Sequence, residues 1–388
     1  MTSPGGEPVG EAYEGPPPTR RPEPWQVSQQ WGPAPWGPPP WALPPWPPQQ
    51  WAPQPWAPPP VVRWAPPPGT PPHDVPRSFL QAMRTRDWAW WRPLLGLLLL
   101  GVVYLALAVA TAVAGIFGLL ASGADPGALP DLDSGLFTDP WLLLFLNASL
   151  IVAIPCVWMV WVVAHGMRRG WSSSVLARLR WRLLAPYALI ALATLGVGIG
   201  LSVVLGFTVG EEGVSGPIPS FGWLLLVVLL TTPLQSAAEE YVFRGYLSQA
   251  IAGWIRAPQA GALLAAVLSA ALFAAAHGPQ DALTFLDRFA FGLAASAVVW
   301  LTGGLEAAIV LHAVNNVLVL VLAGALGEGV ATEAVPAGIG LGFAALSLAS
   351  MAAYVATVAR SRRRLHPETR TAAVDLRPPA QPGPVPAR

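Results

Sequence analysis

The sequence predicts an all-α fold: a polytopic membrane bundle of about eight transmembrane helices, with a disordered tail at each end. Hydrophobic residues make up 53% of the 388 residues and charged residues 11%. Eight apolar segments are each long enough to cross a hydrocarbon core about 30 Å thick. All 22 Lys and Arg positions are arginine, and these arginines cluster in every second loop, as the positive-inside rule predicts for a membrane protein.

The N-terminal tail, residues 1–78, contains six consecutive pentads that each begin with tryptophan and contain proline. Repeated proline forbids a helix or a central strand and favours extended polyproline II, so we expect this tail to be disordered. The alternative is a docking tail for an aromatic-lined partner or for the membrane interface. Residues 79–92 combine arginine with tryptophan and predict an amphipathic interfacial segment.

Residues 93–360 form the predicted membrane domain, and a polar, proline-rich tail that we expect to be disordered follows at 361–388. The predicted spans cover residues 93–121, 141–164, 183–207, 222–250, 260–277, 284–302, 304–325 and 337–359. Loops that carry arginine alternate with loops whose charges are acidic. The positive-inside rule then places both termini in the cytoplasm. We expect a multi-pass protein of the plasma membrane, with the lipid bilayer as its first partner.

Composition argues against several other kinds of site. The one cysteine, Cys156, excludes an intrachain disulfide and a multi-cysteine metal site. A net charge of +1 gives no sign of nucleic-acid binding, and we expect no nucleic-acid partner. The His-Glu-x-x-His pattern of zinc proteases does not occur. The segment from Gly213 to Gly216 fits the Gly-x-Ser-Gly pattern of rhomboid-type serine proteases, but its acidic, proline-flanked loop makes Ser215 a weak candidate.

The fourth predicted span carries three charges, Glu239, Glu240 and Arg244, in an otherwise apolar stretch. Ionisable groups at membrane depth cost about 2.5–3.5 kcal/mol each on insertion scales, so they persist where they are paired or functional. Glu240 and Arg244 are four residues apart with the acid first, which is the favourable order for an ion pair on a helix. Glu239 lies about 100° further round the axis. We therefore expect a structural pair and a separate working carboxylate.

Two further polar groups lie in predicted spans. Phe273 and His277 are four residues apart at the end of the fifth span, and His312 and Asn316 have the same spacing within the seventh. Residues four apart share a helix face, which Asn315 does not share with His312. Because polar side chains in membrane helices turn towards the bundle interior, we expect the three groups to meet in one buried cavity.

The hairpin of the fourth and fifth spans supports this convergence. Glu239 and His277 are each nineteen residues from Pro258, and equal rise along two antiparallel helices brings them to one level. Nineteen helical residues extend about 28 Å, however, which is almost the thickness of the hydrocarbon core. Either these helices project into the cytoplasm, or the site lies towards the far side of the membrane.

A spare carboxylate, two imidazoles and a carboxamide can together hydrolyse an amide bond without a covalent nucleophile. A glutamate can take a proton from water as the water attacks a carbonyl, while a histidine positions the water or protonates the leaving amine. An imidazole N–H and an asparagine amide group can both donate hydrogen bonds to the oxyanion.

The three motifs resemble those of the CPBP intramembrane proteases, which include the CAAX prenyl endopeptidases and the bacterial Abi, or bacteriocin-processing, proteins. The matching patterns are Glu-Glu-x-x-x-Arg at 239–244, Phe-x-x-x-His at 273–277 and His-x-x-x-Asn at 312–316. The resemblance covers roughly residues 180–325, as a protease core. It implies that Glu239 and His277 activate water, that His312 and Asn316 form the oxyanion site, and that Glu240, Arg244 and Phe273 support them.

This resemblance implies a peptide or a lipidated protein as the substrate, although the residues do not identify it. We favour no cofactor. Zinc is the alternative, held by Glu239, His277 and His312 with room for a water. The competing function is a non-catalytic membrane scaffold or immunity-type protein that keeps the same polar core, and a small transporter ranks third, because intramembrane charges also mark ion pathways.

Overall fold

Ten α-helices and one π-helical turn form most of the described part of the chain, with short 3₁₀ turns and loops between them. The computed structural model describes residues 67, 69–121, 139–209, 216–327 and 337–376. In chain order the helices are α1 (Arg92–Ala121), α2 (Pro140–Ile151), α3 (Ala153–Val163), α4 (Leu184–Val209), α5 (Phe221–Val242), α6 (Ser248–Trp254), α7 (Pro258–Ala275), α8 (Ala282–Thr302), α9 (Glu306–Leu326) and α10 (Ala337–Leu365). These helices lie in the compact unit Ala65–Arg388, and the other unit, Met1–Trp64, lies outside the described residues.

The predicted all-α membrane bundle is confirmed. Within the described residues, eight helical stretches are long and apolar enough to cross a membrane. Three of them are composite. The helices α2 and α3 form Pro140–Val163, a 3₁₀ turn and α4 form Trp181–Thr208, and α5, the π-helical turn and α6 form Phe221–Trp254. The outer helices expose large apolar side chains to the surroundings, for example Leu98 on α1 and Leu189 on α4. This is the surface that lipid tails cover.

Local sequence explains where several helices begin and end. Asp139 accepts hydrogen bonds from the backbone N–H groups that follow it at the start of α2, and Asp281 does the same for α8. These carboxylates satisfy N–H groups that have no partner within the helix. The α8 helix ends at Gly303, whose φ of 71° is left-handed, a conformation that glycine adopts without steric cost.

The α5 helix lies at the centre of the bundle, packed against α9, α2 and α3. It does not run straight into α6, because Phe243–Leu247 forms a π-helical turn. Ser248 and Ser269 both donate hydroxyl hydrogen bonds to the Phe243 carbonyl, at 2.8 and 3.0 Å. At Gly245 a Cβ would lie 2.8 Å from the Ser172 carbonyl oxygen, so glycine permits the close approach of the preceding loop. Such turns are frequent at functional sites.

The α6–α7 hairpin extends further from the centre than its neighbours do. Phe273 on α7 and His312 on α9 have ring centroids 5.7 Å apart. About 22 Å of helix separates Pro258 from Phe273, whereas about 9 Å separates Glu306 from His312. The stretch of helix between its beginning and the ring contact is therefore about 13 Å longer in α7 than in α9.

The segment before α1, predicted as an amphipathic interfacial segment at 79–92, is packed on the bundle in its first part. A 3₁₀ turn at Phe79–Gln81 is buried, as is Met83. The Arg84 guanidinium donates to the Gly253 carbonyl oxygen at 2.7 Å, which ties this segment to the end of α6. Phe79, Leu80 and Met83 therefore pack on protein, whereas Trp90 and Trp91 are exposed. The tryptophan pentads predicted to be disordered or to dock lie outside the described residues.

The C-terminal segment also differs from the predicted tail at 361–388. The α10 helix continues to Leu365, and an extended segment follows it to residue 376. The Thr371 and Val374 backbone N–H groups donate to the carbonyl oxygens of Arg77 and His73, at 2.8 and 3.0 Å. These backbone bonds give order to a segment whose composition predicted none. Residues 377–388 lie outside the described part of the chain.

A buried ion pair that the sequence analysis did not predict joins the loop before α4 to the start of α9. Arg180 donates to both carboxylate oxygens of Glu306, with Nε–Oε1 at 2.9 Å and Nη2–Oε2 at 2.6 Å. Its Nη1 reaches the carbonyl oxygens of Thr302 and Glu368. Gly304 leaves room for the pair, since a Cβ there would press against the guanidinium. This ion pair fixes the end of the helix that carries His312.

Candidate active site

Glu240 and Arg244 form the predicted ion pair, and both side chains are completely buried. Arg244 Nη1 donates to Glu240 Oε1 at 2.9 Å, and Arg244 Nη2 donates to the Gly292 carbonyl oxygen on α8 at 3.1 Å. The guanidinium also lies over the Phe273 ring, with Cζ 4.7 Å from the centroid, a favourable cation–π geometry. The pair therefore connects α5 to both α7 and α8.

One carboxylate oxygen of Glu239 accepts a hydrogen bond, and the other has no hydrogen-bond partner. Its Oε1 accepts a hydrogen bond from the Gln235 side-chain amide, one helical turn earlier. Its Oε2 is buried without a hydrogen-bond partner, although 16% of the side chain is exposed. The Gln235 contact was not predicted, although the four-residue spacing that identified the Glu240–Arg244 pair applies equally to Gln235 and Glu239.

The His312 imidazole lies between the two glutamates. Its Nδ1 is 3.0 Å from Glu240 Oε1, and its Nε2 is 3.6 Å from Glu239 Oε2. An ionised carboxylate can only accept, so Nδ1–H donates to Glu240. The longer Nε2–Oε2 separation exceeds hydrogen-bond distance. Glu240 therefore orients the ring so that its second nitrogen faces the free oxygen of Glu239.

Aromatic side chains wall this cluster on the α7 and α8 sides. The Phe273 ring, which is 2% exposed, contacts the rings of His312 and His277 edge-on, with centroid distances of 5.7 and 4.8 Å. Phe291 on α8 approaches the His312 ring to 5.2 Å. The location of Phe273 fits the supporting role implied by the resemblance, because it separates the charged cluster from apolar surroundings.

His277 lies at the exposed end of α7. Its Nδ1 donates to the Phe273 carbonyl oxygen at 2.8 Å, which fixes Nδ1–H as the protonated position and leaves Nε2 free. Within the described residues it forms no hydrogen bond or ion pair with Glu239, His312 or Asn316. The Phe273 ring, which contacts both imidazoles, is its link to the cluster.

Asn316 is joined to the cluster through an amide. Its Nδ2 donates to Gln235 Oε1 at 3.4 Å, and its own Oδ1 accepts from Asn315 Nδ2 at 3.2 Å. The neighbouring asparagine, which the helical spacing had set aside, thus contributes one hydrogen bond. Asn316 and His312 lie on one face of α9, as predicted, and both approach the α5 residues around Glu239.

The alternative sites are less well supported by geometry. Across the described residues, no group of three His, Cys, Asp or Glu side chains is arranged to hold a metal ion. Glu239, His277 and His312 do not form a three-ligand site in this arrangement, so we derive no step through zinc. Ser215, the rhomboid-type candidate, lies outside the described residues. Cys156 is buried in α3.

This arrangement can support proton transfer and oxyanion stabilisation in one place. A carboxylate oxygen with no hydrogen-bond partner faces an imidazole nitrogen, and the Asn316 carboxamide is joined to that carboxylate through Gln235. The fixed neighbours of each group, namely Arg244 for Glu240, Glu240 for His312 and Gln235 for Glu239, limit side-chain motion. Such preorganisation is what electrostatic catalysis requires.

Comparison with known proteins agrees with the motifs. Residues 220–318 match the family model described as Rce1-like, type II CAAX prenyl endopeptidase, and this range contains all the predicted site residues. The uncharacterized protein YyaK of Bacillus subtilis is 26% identical over 204 residues, which cover 50% of this chain and 65% of that protein. No solved structure matches. The predicted resemblance to the CPBP and CAAX protease family is confirmed for this core.

Proposed function

We propose that this chain, whose core matches the Rce1-like family, is an intramembrane endopeptidase that uses Glu239 as a general base. The family match points to a protease in a multi-pass membrane protein. The observation that carries the proposal is the division between adjacent carboxylates. Glu240 is fully buried and its Oε1 accepts from both Arg244 and His312. Its Oε2 has no hydrogen-bond partner, as is also true of Glu239 Oε2, but only the Glu239 side chain is partly exposed, at 16%, and its Oε2 lies 3.6 Å from His312 Nε2.

In the proposed reaction, water attacks the carbonyl carbon of a peptide bond while Glu239 Oε2 takes its proton. The carbonyl oxygen becomes an oxyanion, to which His312 Nε2 and Asn316 Nδ2 donate hydrogen bonds. Because Nδ1–H of His312 is used on Glu240, Nε2 donates only from a ring protonated on both nitrogens. Glu240 already balances Arg244, so the charge of such a ring is balanced by Glu239 before the proton transfer and by the oxyanion after it. The C–N bond then breaks, and the amine nitrogen takes the proton from Glu239 or through His277.

The location of the site supports a class of substrate. The arginine-rich loop before α4 and the single Arg256 before α7 orient these ends, and both termini, towards the cytoplasm by the positive-inside rule. His312 is about 9 Å from the start of α9, so the cluster lies in the cytoplasmic half of the bundle. The projection of the α6–α7 hairpin supports the first of the two predicted locations. A membrane-associated, CAAX-like peptide at the plasma membrane fits this geometry.

Purified full-length protein in nanodiscs tests the proposal. The probes are a farnesylated fluorogenic peptide that ends in a CAAX sequence and its unfarnesylated twin, each given to wild type and to Glu239→Gln. We expect wild type to cleave, and Glu239→Gln to lower kcat by about 100-fold or more, the contribution of a general base. Equal cleavage by both proteins would refute Glu239 as the base. No cleavage of either probe by wild type would leave the scaffold function as the better description.

A further inference from the structure

A chain of three side-chain amides runs from α9 to the proposed base on α5. Asn315 Nδ2 donates to Asn316 Oδ1 at 3.2 Å, Asn316 Nδ2 donates to Gln235 Oε1 at 3.4 Å, and Gln235 donates to Glu239 Oε1. Gln235 is buried, with 6% of its surface exposed. Gln235 lies within the matched range 220–318 but outside the three motifs, the first of which begins at Glu239.

The direction of these hydrogen bonds is set by the carboxylate. An ionised Glu239 accepts and cannot donate, so the amide NH₂ of Gln235 faces it. The carbonyl oxygen of Gln235 must then face the other way, where it accepts from Asn316 and from the Ser236 hydroxyl at 3.3 Å. Asn316 in turn presents its NH₂ to Gln235. The charge of one residue therefore orients the amides on two helices.

We infer that Gln235 is a positioning residue that aligns the general base with the oxyanion donor, an inference that rests on the proposed function. Its hydrogen bond occupies Glu239 Oε1 and leaves Oε2, which has no partner, directed at His312. Its carbonyl oxygen holds Asn316 on the opposite helix. The Gln235 amide thus sets the distance between Glu239, which takes the proton, and Asn316, which donates to the oxyanion.

Packing alone does not require an amide at this position. An apolar side chain of similar size would fill the same volume without the cost of burying a polar group. Asn147 provides a useful contrast within the same bundle. It is also a buried amide packed on α5, but it donates to the hydroxyls of Thr231 and Thr232, and so connects α2 to α5 without touching a charged group.

The test compares Gln235→Met with the matched control Asn147→Leu, using the farnesylated peptide and full-length protein in nanodiscs. Both variants lose a buried interhelical amide, so both are expected to lower thermal stability. Only Gln235→Met is expected to lower kcat, by about 10-fold to 100-fold, which is the range of a hydrogen bond to a charged group. KM should change by less than about twofold in both variants, because Gln235 does not touch the substrate.

The outcomes separate this inference from the proposed function. If Glu239→Gln loses turnover while Gln235→Met keeps the kcat of wild type, the positioning role is wrong and the base assignment stands. An equal loss of kcat in Gln235→Met and Asn147→Leu would also overturn the positioning role, since it would indicate a general effect of destabilisation. If Glu239→Gln cleaves as fast as wild type, both the base and its positioning residue are wrong.

Discussion

Arg244→Met should destabilise the protein more than the double change Glu240→Gln/Arg244→Met. The single substitution removes the guanidinium and leaves the completely buried carboxylate of Glu240 without its ion-pair partner. It also leaves the Gly292 carbonyl oxygen without its donor and removes the cation–π contact with Phe273. The double change suffers the last two losses but leaves no buried charge.

The structure sets the expected magnitudes. Breaking a buried ion pair by removing one partner costs about 3–5 kcal/mol, and the lower end applies here because His312 still donates to Glu240. In the double variant a neutral glutamine oxygen can accept the same His312 hydrogen bond. Its main loss is then an unpaired neutral carbonyl group, worth about 1–2 kcal/mol, the lower part of the range for an unsatisfied buried group. The single variant should therefore be less stable than the double by about 1–2 kcal/mol.

Cys156 provides the assay. It is the one cysteine of the chain and is 2% exposed, so a thiol-reactive fluorophore labels it only when the surrounding helices open. With opening in rapid equilibrium, the labelling rate follows the free energy of opening, and 1.4 kcal/mol corresponds to a factor of ten. We expect the single variant to label about 5-fold to 30-fold faster than the double.

A specific result would refute this reasoning. If the double variant labels as fast as Arg244→Met or faster, the stranded carboxylate is not the source of the instability. Arg244 would then stabilise the bundle through its contacts with the Gly292 carbonyl oxygen and the Phe273 ring. Glu240→Gln alone provides the internal control. It retains an acceptor for His312 and Arg244 but leaves the completely buried Arg244 charge without its counter-charge, so it too should label faster than wild type.

Three further predictions concern other parts of the molecule. Gly304→Ala should destabilise the protein by about 1–3 kcal/mol, because a Cβ there would press against Arg180 and lie 2.5 Å from Glu306 Oε2, whereas Gly200→Ala meets open space and should be neutral in Cys156 labelling. Burial lowers the pKa of His165 to about 4, below its unfolded value of about 6.5. The neutral ring therefore stabilises the folded state above pH 6.5, by up to about 3 kcal/mol, and this stabilisation should be lost as the pH falls towards 4. The His165→Asn variant should not show this loss. Phenanthroline should leave peptide cleavage unchanged, and loss of turnover that added zinc restores would contradict this.

Much of the fold could be predicted because its causes are local. Span length depends on the thickness of the hydrocarbon core, so eight apolar stretches were visible without any contact information. The Glu240–Arg244 pair depends on the four-residue repeat of a single helix. The meeting of α5, α7 and α9 was predicted from three polar motifs that had to leave the lipid, and Phe273 contacts both predicted histidines.

The remaining features depend on contacts between distant parts of the chain. The π-helical turn at Phe243–Leu247 relies on Ser269 from α7, which donates to the Phe243 carbonyl oxygen, so the sequence of α5 alone could not indicate it. The segment after α10 has a polar, proline-rich composition, yet its backbone pairs with residues almost three hundred positions earlier. From the sequence, Glu306 looks like an ordinary acidic residue in the first turn of a helix, because its ion-pair partner, Arg180, lies in a distant loop.

The predicted division between a structural pair, Glu240 with Arg244, and a separate working carboxylate, Glu239, has to be revised in one respect. Helical spacing assigned Glu240 to Arg244 and left Glu239 apart, and both statements hold in the structure. The spacing could not show that Glu240 also accepts from His312 Nδ1, because that contact joins α5 to α9. Through it, the buried ion pair determines which imidazole nitrogen faces Glu239. The two adjacent glutamates then have linked tasks, since Glu240 orients the ring beside which Glu239 would take its proton.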